Sequence, residues 1–149
     1  MKKLLTITLF LFMLSSTGFA QDKNLGVGII FGNPTGLSIK NWMGKTTALQ
    51  GALAWNFEGK GNLSLTGDYL WHNYSLISVS KGRLPVYYGI GADAVFNNDF
   101  VLGVRGVVGL DYMFADAPLD IFAEVVPTFY LIPGTSFKFH FGIGGRYFF

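Results

Sequence analysis

The stretch Ser136-Phe137-Lys138-Phe139-His140-Phe141-Gly142-Ile143-Gly144-Gly145-Arg146-Tyr147-Phe148-Phe149 decides the fold. Taken by alternate residues, it separates into two faces. Phe137, Phe139, Phe141, Ile143, Gly145, Tyr147 and Phe149 form one, which is free of charge. Lys138, His140, Gly142, Gly144, Arg146 and Phe148 form the other. A period of two is that of a β-strand, whose successive side chains point to opposite sides.

The same separation recurs upstream. Over 118–131, Leu119, Ile121, Ala123, Val125, Pro127, Phe129 and Leu131 oppose Asp120, Glu124 and their neighbours of like phase. Over 100–114, an apolar face running from Phe100 to Phe114 opposes Arg105 and Asp111. Asp93 stands opposite Val86, Tyr88 and Ile90 in 84–96; Asp68 and His72 stand opposite Leu63, Leu65, Tyr69 and Trp71 in 62–74; Lys40 alone is charged on the polar face of 35–43. With 24–32 and 46–58, the chain reads as eight strands. The breaks between them carry the Gly, Pro, Asn and Asp that turns need, and only 75–83 is long. No window sustains an apolar pattern at helical spacing.

Composition says which face meets water. Of 149 residues, 13% are charged, 50% hydrophobic and 17% aromatic, with 20 glycines. Soluble domains carry about 25% charged residues, so this surface is too poor in charge for water. The length bounds the chain to one domain. The low charge argues against a disordered tail and against a nucleic-acid partner. The absence of cysteine removes disulfides, thiolate metal sites and a cysteine nucleophile. A soluble sandwich would present Lys, Glu and Thr on its second face. Here that face is mostly Gly, Ala and Ser with charges of both signs, which suits a narrow filled interior. The expected fold is therefore all-β: an eight-stranded antiparallel transmembrane up-and-down β-barrel, apolar outside and polar inside. Tyr69, Trp71, Tyr112, Phe114, Tyr147 and Phe149 would form one aromatic girdle, and Phe31, Trp55, Phe57, Phe96, Phe100 and Phe137 the other.

Residues 1–20 read as a secretory signal peptide: Lys2-Lys3, an apolar run from Leu4 to Leu14, and small residues at Gly18 and Ala20. The apolar run is too short to span a bilayer as a helix, which takes about 20 residues. Residues 21–149 would be the barrel. Lys2 and Lys3 leave with the signal, so nine basic residues face nine acidic ones. A neutral barrel has no long-range field to steer a charged partner.

Several motifs carry a resemblance. Pro34-Thr35-Gly36-Leu37-Ser38, Asp68-Tyr69-Leu70-Trp71-His72, Tyr88-Gly89-Ile90-Gly91, Gly103-Val104-Arg105-Gly106 and Ala123-Glu124-Val125-Val126-Pro127 resemble segments of a family of functionally uncharacterised small outer-membrane barrels. The size class is that of OmpX and the OmpA transmembrane domain. The carboxy-terminal Gly144-Gly145-Arg146-Tyr147-Phe148-Phe149 is similar to the signal that hands such proteins to the outer-membrane barrel assembly machinery, with Tyr147 and Phe149 as its aromatic positions. The resemblance implies a bacterial outer-membrane location with surrounding lipid as partner. It implies no activity.

The candidate site is the set of charged and histidine side chains on the inward face: Lys40, Asp68, His72, Asp93, Arg105, Asp111, Asp120, Glu124, Lys138, His140 and Arg146. Counted from the turns, Arg146 faces Asp120, and Arg105 lies diagonal to Glu124 and Asp93. Diagonal neighbours are about 7–8 Å apart, within reach of an arginine. The expectation is a lumen plugged by paired charges in a monomeric barrel with a structural or envelope role and no catalysis. A narrow low-conductance pore is the first alternative and a lipid-modifying enzyme the second. The enzyme reading is weak: Asp68 and His72 lie about 13 Å apart along one strand, and neither histidine has a serine two residues on. Two histidines with scattered carboxylates show no metal-ligand spacing, and no cofactor motif is present. Pro127 predicts a local break in strand pairing, and Pro85 a strand start. If residues 1–20 are a cleaved signal, the protein recovered from membranes will have the intact mass of a chain beginning at Gln21. A mass retaining residues 1–20 would contradict the reading.

Overall fold

A computed structural model describes residues 23–33, 35–56 and 62–149. The signal-peptide reading, Phe57 and the turns at 34 and 59–61 lie outside the described residues. The strands are β1 (Leu25–Asn33), β2 (Thr35–Trp42), β3 (Thr47–Asn56), β4 (Asn62–Asn73), β5 (Val86–Phe96), β6 (Phe100–Met113), β7 (Leu119–Ile132) and β8 (Ser136–Phe148). Each pairs antiparallel with the next, and β8 returns to β1 to close a barrel. The seam is extended by a hydrogen bond from the Phe149 amide to the Leu25 carbonyl, 2.9 Å. No sheet edge remains along it, so the backbone donors and acceptors of both strands are spent within the ladder.

The register sets the shape. Followed round the barrel through paired residues, Phe148 leads to Gly26, Lys40, Gln50, Asp68, Gly91, Arg105, Thr128 and then Lys138. One circuit returns to β8 ten residues from its start, so the strands run oblique to the axis. Closed barrels tilt their strands by roughly 35–45°, and eight strands leave an interior that side chains alone can fill.

Burial alternates with period two, as the sequence leads one to expect. In β7, Asp120, Phe122, Glu124, Val126, Thr128 and Tyr130 are buried while the residues between them face outward. Outside stand Leu37, Ile39, Leu65, Ile90, Val104, Val108, Ile121, Phe141 and Ile143, all exposed. Aromatic rings pair near the strand ends. Tyr69 meets Trp71 and Tyr147 meets Phe149 near the end that holds the chain terminus, while Phe96 meets Phe100 at the opposite end.

Pro85 and Pro127 behave as their chemistry requires. Pro85 precedes β5, and its carbonyl accepts from the Asp111 amide. Pro127 keeps its place opposite Phe139 of β8. On the β6 side the ladder runs from Arg105–Thr128 to Val108–Val125 without pairing Pro127 and without change of register; the register shift of this strand pair falls between Leu102 and Gly103. A residue without an N–H cannot complete both ladders.

Glycines make room for the inward rings. A Cβ at Gly144 would fall 2.6 Å from the Phe122 ring, and one at Gly109 2.5 Å from the Tyr87 ring. At Gly28 a Cβ would overlap the Gly145 carbonyl oxygen, whereas outward Gly67 has no neighbour within 4 Å of that position. Gly28→Ala is therefore expected to destabilise the refolded barrel by about 2 kcal/mol or more, and Gly67→Ala by less than about 0.5 kcal/mol. Urea unfolding of vesicle-inserted protein reads both; equal midpoints would contradict the packing.

Candidate functional site: the barrel interior

Every strand from β2 to β8 sends a polar side chain into one connected interior, and β1 contributes the space left by Gly26 and Gly28. Near the terminal end, Lys40 of β2 places its Nζ 2.6 Å from Asp111 Oδ2 of β6. Both side chains are fully buried. The same ammonium lies 2.8 Å from His72 Nε2, while His72 Nδ1 lies 3.1 Å from the Thr46 carbonyl. A carbonyl only accepts, so the proton sits on Nδ1 and Nε2 accepts from Lys40. Lys40 also lies over the Trp42 ring, 4.4 Å from its centroid.

Arg146 of β8 is the hub. Its Nε and Nη2 donate to the Asp120 carboxylate at 2.9–3.1 Å, a two-pronged contact across the β7–β8 pair. Its Nη1 donates to Gln50 Oε1 on the far wall at 2.7 Å, and the guanidinium stacks on Phe122 at 4.0 Å. Nη2 also stands 3.8 Å from Asp111 Oδ2, which joins this group to the Lys40 group. Gln50 passes the connection on through its Nε2 to Glu124 Oε2 at 3.2 Å, and the Tyr87 hydroxyl donates to the same oxygen at 2.7 Å.

Arg105 of β6 closes the middle layer. Its Nε lies 2.9 Å from Asp68 Oδ1 of β4, an ion pair in which the N–H is not aligned on the oxygen. Its Nη2 lies 3.8 Å from Glu124. A void of about 30 Å³ borders Gln50, Thr66, Arg105 and Glu124, room for one water among polar partners. Buried Thr66 Oγ1 has no partner among the described residues.

Toward the end away from the termini the interior widens. Asp93 of β5 accepts from the Ser64 hydroxyl at 2.6 Å and the Tyr130 hydroxyl at 2.8 Å. The Tyr130 oxygen lies 3.1 Å from His140 Nε2. Tyr130 has one proton, and Asp93 takes it, so His140 Nε2 is the donor of that second bond.

The expected Arg146–Asp120 pairing and the approach of Arg105 to Glu124 are both present. The expected pairing of Arg105 with Asp93 is not: Arg105 reaches across the lumen to Asp68, and Asp93 is held by two hydroxyls. Lys138 departs from the buried set too. β8 begins beyond the packed layer, so Lys138 near its start is exposed at the mouth, with its Nζ 6.0 Å from the Tyr130 ring centroid. The linking residues Gln50 and Tyr87 carry no charge, the property that marks the other inward side chains in the sequence. The alternation that placed Asp93 inward also places Tyr87 inward, six residues before it.

The long connection between β4 and β5 lies at the terminal end. It is tied down by the Arg83–Met113 bridge, a Tyr112 hydroxyl bond to the Lys81 carbonyl and an exposed Lys81–Asp116 ion pair. Burial raises the Tyr74 phenol above its ordinary range there. Among the described residues, no three His, Asp or Glu side chains converge as a metal site.

A closed eight-stranded antiparallel barrel with apolar exterior and charged interior has the architecture of the small outer-membrane barrels. A solved structure of that kind, the N-terminal β-barrel domain of Pseudomonas aeruginosa OprF, matches with a TM-score of 0.59 over 85% of this chain and 96% of that domain. Identity is 16%, so the likeness is one of fold. No protein-family model and no curated protein matches the chain.

Removing one partner of a buried pair leaves the other charge uncompensated, a loss of about 3–5 kcal/mol. Arg146→Met is expected to lose that much in vesicle-based urea unfolding. Lys81→Ala, at an exposed pair, is expected to lose less than about 1 kcal/mol. Equal losses would contradict the assignment of Arg146 as hub.

Proposed function

We propose that the protein is an integral bacterial outer-membrane barrel with a structural role in the envelope, its lumen sealed by paired charges and without catalysis. The observation that carries this reading is the connected layer Lys40–Asp111–Arg146–Asp120 with Gln50, Glu124 and Tyr87. It braces opposite walls with side chains that are almost wholly withdrawn from solvent. Buried ionic groups contribute specificity of assembly when each has its partner.

Three further features support the reading. The outward surface is apolar along all eight strands and bordered by exposed aromatics, the exterior that hydrocarbon selects. His72 is held by Lys40 and Thr46 inside the barrel, and His140 lies beside Tyr130, so neither is presented to lipid as a lipid-modifying enzyme would need. Tyr147 and Phe149, the aromatic positions of the motif that resembles an assembly signal, stand on the outward face with rings 5.2 Å apart. Continuous pairing round the barrel leaves no strand edge that needs a second copy, in keeping with a monomer.

The test is single-channel recording of refolded protein in a planar bilayer. The wild type is expected to give no discrete current steps. Arg105→Ala with Glu124→Ala, which thins the middle layer beside the 30 Å³ void, is expected to introduce them. Discrete openings of the wild type that these substitutions alter would establish the narrow pore instead.

A further inference from the structure

The structural role uses the paired layer and leaves one feature unassigned. At the end of the barrel away from the termini, above that layer, lies a chamber of about 420 Å³. Ligand sites in proteins span about 300–1,000 Å³ and combine apolar walls with a few convergent polar groups. This chamber has both.

Its polar side is built. Asp93 is 3% exposed, and its two oxygens are each held by a hydroxyl, from Ser64 at 2.6 Å and Tyr130 at 2.8 Å. A carboxylate has about four lone-pair sites, so two accept from the protein and two remain for a ligand. Asn62 Oδ1, on the same wall, is buried and has no donor among the described residues. Ser136 and Thr135 add hydroxyl groups at the rim. Val95, Val101 and Pro133 supply the apolar wall.

The charge balance narrows the ligand. Asp93 and Lys138 line the chamber with opposite signs. Lys138 stands over Tyr130, whose hydroxyl is bonded to Asp93, so the two charges share one neighbourhood. Formally they cancel, which disfavours a multiply charged guest. A guest that offers several hydroxyl donors, accepts from Lys138, Ser136 and Thr135, and lays an aliphatic ring face against Val95 and Val101 matches these groups. We propose that the chamber is a binding site for a single uncharged saccharide unit. The inference goes beyond the structural role and is independent of whether the layer below conducts.

The experiment uses the refolded, nitrogen-15-labelled chain in sugar-free amine-oxide micelles, titrated with N-acetylglucosamine. Glycine betaine and inorganic phosphate serve as charged comparisons. Saturable amide shifts at Asp93, Tyr130 and His140, with half-saturation in the range of about 1–10 mM, are expected for the sugar alone. Asp93→Asn is expected to weaken binding about fivefold or more, because an amide presents one acceptor oxygen where the carboxylate presents two. Should Asp93→Asn misfold, Ser136→Trp gives an independent reading: it lies opposite Tyr130 at the mouth, removes no group that bonds Asp93, and is expected to abolish the shifts on sugar addition while leaving the spectrum away from the mouth in place. Absence of saturation by the sugar in the folded wild type would overturn the proposal. So would saturation by betaine or phosphate alone, or unchanged shifts in Ser136→Trp.

Discussion

A backbone amide surrounded by hydrocarbon has nothing to bond except another amide. Each unpaired group costs several kcal/mol there, so a spanning sheet must close on itself. The pairing of β8 with β1 is that closure, from Gly26–Phe148 to Asn33–Phe141. The rest depends on it. Eight strands joined with a ten-residue offset leave only one narrow polar compartment. The outward face is given to apolar side chains, so the ionic groups within the strands are directed inward, where all but Lys138 at the mouth are withdrawn from solvent. Pairing inside the lumen is then a consequence of closure.

The interior is graded along its axis. Near the termini it is dense: Arg146, Lys40 and Asp111 are almost completely buried, and Phe122 and Tyr87 fill space that Gly144 and Gly109 leave open. Large side chains on one strand oppose glycines on its neighbour, so rings and guanidinium groups pack without displacing backbone. At mid-height one void of water size interrupts the packing. Beyond it the lumen opens into the chamber around Asp93 and Tyr130. The barrel is braced at the end that holds the termini and hollow at the other.

How far this was legible follows from which quantity each feature depends on. Alternation along 136–149 and its counterparts needs only local order, so eight strands, their facing and the Arg146–Asp120 pair could be read from phase and turn spacing. The limits of β6 and β8 each fall one residue short of the expected ends, although the amides of Phe114 and Phe149 still donate to the Leu119 and Leu25 carbonyls. The Arg105–Asp68 contact was not legible. It joins β6 to β4, which are not neighbours, and depends on tilt and offset that no single strand encodes. The exposure of Lys138 had the same origin: it shares a face with buried Arg146, but the slope of β8 carries it out of the packed layer. Gln50 and Tyr87 are neutral, so a search for charge passed over them although they link the charged groups.

The central claim is that the outward face of the strands meets lipid. The chain has no cysteine, so single cysteines can be introduced cleanly. Spin labels at Val104, Gly106, Val108 and Leu110 of β6, in protein inserted into vesicles, would report collisions with oxygen and with a water-soluble nickel complex. The account predicts that oxygen dominates at all four, with the contrast greatest at Gly106 and Val108 and falling toward both ends of the strand. Nickel access equal to that of a label at exposed Asn98, at every position, would contradict it.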